Sequence, residues 1–99
     1  MANQVNWSPK ALEDVDAIVA YIARDSASYA ATVVQKILDT TRNLSKFPLT
    51  GRIVPEFGDE SIREKFAYSD RIIYRIENET VTIAAVIHGK RQLETLEVE

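Results

Sequence analysis

A chain of 99 residues with 45% apolar and 27% charged side chains, three Gly and three Pro has the make-up of an ordinary globular protein. It reads as a single domain over residues 1–99, able to bury roughly 60 to 65% of its unfolded surface, which excludes intrinsic disorder and a second core. The absence of cysteine excludes disulfides, thiolate metal sites and cysteine nucleophiles, and neither metal nor cofactor is expected. The net charge of −3 arises mostly beyond residue 76, where five acids face Lys90 and Arg91, so basic patches are available upstream.

The first residues, MANQVNWSPKALED, lack the basic leader and apolar core of a secretion signal, and no apolar run approaches the ~18 residues of a membrane span. A cytoplasmic protein without membrane association is expected. Residues 5–7 read as a short strand. Ser8 then serves as N-cap with Pro9 in the first helical position, and Leu12, Val15, Ile18, Val19 and Ile22 recur at helical spacing, predicting a helix to about Arg24. Asp25 or Ser26 caps a second helix through Val33, Ile37 and Leu44, ending near Phe47 because Pro48 disfavours a helical residue before it. So short a connection makes the helices antiparallel.

After FPLTGR the period changes to two. SIREKFAYS, DRIIYRI and TVTIAAVIH alternate and are rich in β-branched and aromatic residues, and residues 52–54 suit a further short strand. ENET, which also matches a glycosylation sequon at Asn78, reads as a hairpin turn, pairing Ile76 with Val81 and Tyr74 with Ile83. The expected fold class is α+β: an N-terminal strand, a helical hairpin, then a three-stranded antiparallel meander forming one twisted sheet packed on the helices. Alternation sends Ile72, Tyr74 and Ile76 to the helices and Arg71, Ile73, Arg75, Thr82, Ala84, Val86 and His88 to the open face. Arg63 and Lys65 share one face of the preceding strand, and the turn at Ser69 and Asp70 decides which.

The cationic residues admit two readings. Arg63, Arg71, Arg75, His88, Lys90 and Arg91 can form a receptor for phosphate or for acidic protein side chains, since a guanidinium fork binds two oxygens at once. Alternatively Arg71 and Arg75 solvate an exposed face and pair with Glu64 or Glu56. His88 can act as a general acid or base or as a structural hydrogen-bonder. The aromatics Trp7, Tyr21, Tyr29, Phe47, Phe66 and Tyr74 lie on or beside apolar stripes and are assigned to the core, with Tyr68 in core or surface. The open face then offers no aromatic platform for stacking bases.

Taken together, SPKALEDVDAIVAYIARDS, LSKFPLTGRIVPEF, IREKFAYSDRIIYRI and VTIAAVIHGKRQLE resemble, from Val5 to about Leu93, the RelE/ParE superfamily of type II toxin-antitoxin toxins. GRIVPEF, REKF and HGKRQLE look more like the ParE side, sometimes labelled plasmid-stabilisation proteins. The resemblance implies a growth-inhibiting toxin that binds DNA gyrase and is neutralised by a cognate antitoxin, whose acidic residues would meet Arg71, Arg75 or Arg91. The alternative it implies is a RelE-like nuclease cutting mRNA on the ribosome, with Arg71, Arg91, His88 and Lys65 as the candidate catalytic set. The tail RQLETLEVE has no Tyr or Lys to complete such a site and adds acids that repel phosphate. Asp70 stands where many relatives carry an aromatic; a carboxylate there, paired with Arg71 or Arg91, would give a weakened or non-toxic antitoxin-binding homologue.

Overall fold

In the computed structural model, which describes residues 3–89, strand β1 (Gln4–Trp7) enters helix α1 (Pro9–Ala23) through Ser8. The Ser8 hydroxyl accepts the Ala11 N–H at 3.0 Å and donates to the Ala84 carbonyl at 3.1 Å, so the N-cap also ties the helix to the last strand. Helix α2 (Ala27–Asn43) is capped by Ser26, whose hydroxyl accepts the Tyr29 N–H at 3.1 Å. It ends at Asn43 rather than near Phe47. Leu44 and Ser45 bond back to Thr41 and Arg42, a tightening to three-residue spacing that closes the helix over the buried Leu44.

A single 3₁₀ turn (Pro48–Thr50) leads to β2 (Arg52–Ile53), β3 (Ile62–Ala67), β4 (Asp70–Glu77) and β5 (Thr80–Ile87). The sheet order is β1-β5-β4-β3-β2, with the helical hairpin on one face. All pairs are antiparallel except β1 with β5, so the sheet is mixed rather than wholly antiparallel. The hairpin between β4 and β5 is as expected: Asn78 and Glu79 sit at φ 46° and 64°, and Ile76 faces Val81 while Tyr74 faces Ile83. Among the described residues no helix is long and apolar enough to cross a membrane.

One extra residue then changes the outcome. Tyr74 opposes Ile83 but Ile73 opposes Ala85, leaving Ala84 as a bulge, and an insertion of one residue reverses which face each later side chain takes. Val86 therefore joins Ile72 and Tyr74 in the core beneath the helices. His88 follows it to the helix side, correcting the outward placement expected for both. At and beyond the bulge, where β1 has ended, α1 satisfies the backbone: Ser8 takes the Ala84 carbonyl and Asp14 accepts the Val86 N–H at 2.9 Å.

The face away from the helices is less open than alternation implied. Ile73, Ala85 and Ile87 form a second buried cluster there with Ile62 and Val54, which begins the connection from β2 to β3. On the helix side, Tyr74 is fully buried and donates its hydroxyl to the Pro48 carbonyl at 2.6 Å while accepting the Gly51 N–H at 3.0 Å. Gly51 is required by this latch, since a Cβ would lie 2.6 Å from the Glu64 carbonyl oxygen and closer still to the Tyr74 hydroxyl.

Candidate functional site

Register places Glu64 opposite Ile73 and Phe66 opposite Arg71, so these side chains share the face away from the helices with Arg71 and Arg75. The Glu64 side chain is completely buried. One of its oxygens accepts Arg71 Nε at 2.9 Å and also Arg71 Nη2, and the other accepts Arg52 Nε. Glu56 takes both terminal nitrogens of Arg71 at 3.3 Å. Burial alone would lower the Arg71 pKa, but the hydrogen bonds it donates to Glu56 and Glu64 outweigh it and the net shift is upward. The Arg71 hydrogen bond in turn holds Glu56 below the usual glutamate value.

Arg71 thus has both of the carboxylate partners that the pairing reading offered. Two guanidiniums and two carboxylates leave this cluster without net charge. Arg52, 61% exposed, lies over the Phe66 ring at 5.8 Å from its centroid, which gives the face an aromatic that the sequence reading assigned to the core. Among the described residues the ion pair of Arg75 is with Glu77, at 3.7 Å.

The remaining cations are elsewhere. Lys65 opposes Ile72 and Arg63 opposes Tyr74, which puts both on the face opposite Arg71 and Arg75. There Arg63 donates to the carbonyls of Gly51 and Glu60, each at 3.0 Å, and Lys65 reaches the Thr50 hydroxyl at 3.3 Å. Lys90 and Arg91 lie outside the described residues.

Asp70 pairs neither with Arg71 nor across that face. Adjacent residues of a strand point to opposite sides, so Asp70 turns toward the helices and its buried carboxylate meets His88 Nδ1 at 2.6 Å. The Tyr21 ring stands edge-on to the imidazole at 5.6 Å. Consequently Arg71 is on the opposite side of the sheet from His88 and Lys65, while Arg91, the fourth residue of the set expected for RNA cleavage, lies outside the described residues.

The aromatic assignments also need correction. Tyr74 is buried and Trp7 packs at the core's margin, but Tyr21, Tyr29, Phe47 and Phe66 are exposed, as is Tyr68. Helical spacing identifies a stripe without saying which members lie at its edge. Three of them, Tyr21, Tyr29 and Tyr68, line one cleft together with His88 and Asp70, a grouping no sequence signal marked. Among the described residues no three His, Asp or Glu side chains are placed to hold a metal ion.

A helical hairpin on one face of a five-stranded sheet, fed by an N-terminal strand, is the fold of the RelE/ParE toxins. The solved structure described as the chromosomal ParDE TA system from P. aeruginosa shares it over 90% of this chain and 98% of its own, with a TM-score of 0.73 at 20% identity. A second, the toxin-antitoxin complex RelBE2 from Mycobacterium tuberculosis, covers 89% of this chain and 99% of its own, with a TM-score of 0.60 and 20% identity. Curated protein sequences yield no match. Residues 5–93 match the family described as the ParE toxin of the type II toxin-antitoxin system parDE, and the chain belongs to that family.

Proposed function

We propose that this ParE-family protein acts in the cytoplasm by binding DNA gyrase, and that a cognate antitoxin neutralises it by covering its surface. The observation that carries the choice of a binding mechanism over a nuclease is the separation of Arg71 from His88. RNA cleavage of the kind expected from Arg71, Arg91, His88 and Lys65 needs a proton acceptor and a cation at one phosphate. Here the imidazole and Lys65 are on the helix side, and Arg71 is on the other, held by Glu64 and Glu56. Exposed aromatics and a cationic rim that is internally balanced are features of a surface built for protein contact.

The antitoxin is expected to be a segment that folds as it binds, laying an amphipathic helix or extended strand on the toxin. Purified protein added to gyrase and supercoiled plasmid should yield linear DNA, and the antitoxin should abolish this. Unchanged gyrase activity at saturating protein, or codon-positioned cuts in translated mRNA that vanish on Arg71→Ala, would refute the proposal.

A further inference from the structure

Between the end of α1, the start of α2 and the β3–β4 turn is a cleft of about 290 Å³ whose walls are Tyr21, Tyr29, Tyr68 and His88, with Asp25 and Asp70 beside them. Among the described residues its lining contains no Lys or Arg. Asp70 is committed to His88, whereas Asp25 is exposed and has no ion-pair partner among the described residues. The Tyr29 and Tyr68 rings stand 6.5 Å apart and tilted at 36°, and Tyr21, Tyr29 and Tyr68 are each more than half exposed at 59%, 51% and 53%.

Tyr68 adds an independent indication. It occupies the first position of a two-residue turn between Ala67 and Asp70 with φ 56°, a left-handed conformation that ordinarily selects glycine there. A large aromatic is sterically disfavoured in that conformation, and such residues cluster where a surface has a task. In this turn the conformation brings the Tyr68 ring beside Tyr29.

We infer that this cleft is the docking point for a guanidinium or ammonium group carried by the protein partner, taken against the tyrosine faces with Asp25 as counter-ion. Aromatic faces attract cations through their negative quadrupole, and an unpaired carboxylate at the rim supplies the complementary charge. Among the described residues the lining offers a carboxylate or phosphate no lysine or arginine. The inference rests on the antitoxin reading for the identity of the partner, and it makes the polarity of this contact the reverse of that expected at Arg71.

Two titrations test it on the full chain with ¹³C-labelled tyrosine rings. An acetylated, amidated decapeptide bearing two arginines on one helical face is expected to shift Tyr21, Tyr29 and Tyr68 selectively, and its glutamate counterpart is not. Asp25→Asn should weaken the arginine peptide by about fivefold and Asp25→Asn with Tyr29→Leu by roughly tenfold or more, while Glu60→Gln, an exposed acid outside the cleft, leaves it unchanged. Equal shifts from both peptides, or undiminished binding in the variants, would overturn the inference. So would binding that appears only after Lys90 and Arg91 are replaced by alanine, or self-association that Asp25→Asn abolishes. The antitoxin encoded beside the gene is then measured against the same variants, with circular dichroism as the control for folding. An antitoxin that binds all forms equally sinks the cleft and leaves the toxin reading intact. One that binds none sinks the antitoxin reading, and the peptide titration decides the cleft by itself.

Discussion

Replacing Glu64 by glutamine keeps the side-chain volume and removes the charge on which Arg52 and Arg71 converge. The cost follows from the environment of each partner. Arg52 is 61% exposed, so its pair with Glu64 contributes at most about 1 kcal/mol. Arg71 is 13% exposed and Glu64 not at all, and breaking a buried pair from one side costs about 3–5 kcal/mol. Because Arg71 retains Glu56, the lower end applies, and the expected loss is roughly 3 kcal/mol. In a domain of this size that lowers the melting temperature by about 12 to 24 °C. Urea unfolding followed by circular dichroism measures it. The companion variant, Glu64→Gln with Arg71→Met, removes the stranded charge and should recover at least half the loss. A single-variant cost below about 1 kcal/mol, or no recovery in the pair, would refute the view that this ion pair is structural.

Three further outcomes follow from the geometry. Gly51→Ala drives a methyl against the Glu64 carbonyl and the Tyr74 hydroxyl, and should cost about 1–3 kcal/mol by urea unfolding. Ser8→Ala removes both the α1 cap and the bond to Ala84; the expected loss is about 1–2 kcal/mol, with faster hydrogen exchange in the first turn of α1. Glu56 titrates lower folded than unfolded, so its contribution is complete above the ordinary glutamate pKa and disappears as pH falls through the depressed value. Thermal melts across that acid range should therefore show a smaller pH slope for Glu56→Gln than for the parent protein.

The elements themselves were legible because each carries a local device: Ser8 with Pro9, Ser26, the Asn78–Glu79 turn and the alternation of DRIIYRI. Parity along the last strand was not. IAAVI is apolar at every position, so nothing in it distinguishes one face from the other, and the bulge at Ala84 leaves no mark in composition. That single residue moved Val86 and His88 to the helices and brought the imidazole to Asp70. The facing of Arg63 and Lys65 depended on a tight turn held by Tyr68 at positive φ, where sequence preference would have asked for glycine.

The internal balance of the cationic face constrains how any acidic partner uses it. Glu64 is sealed beneath Arg71 and cannot be displaced without opening the sheet, so one edge of that guanidinium is permanently occupied. Glu56 is different. Its side chain is 32% exposed and holds Arg71 by bonds of 3.3 Å, an arrangement worth no more than about 1 kcal/mol in water. A partner carboxylate can therefore exchange with Glu56 at nearly constant charge, and little affinity is gained by doing so. Arg52 offers more: it is largely exposed, has Phe66 beneath it and, among the described residues, is tied by one nitrogen only. Affinity on this side of the sheet should accordingly come from apolar contact around Phe66 and from Arg52, with Arg71 acting as the strut that keeps Glu64 in place.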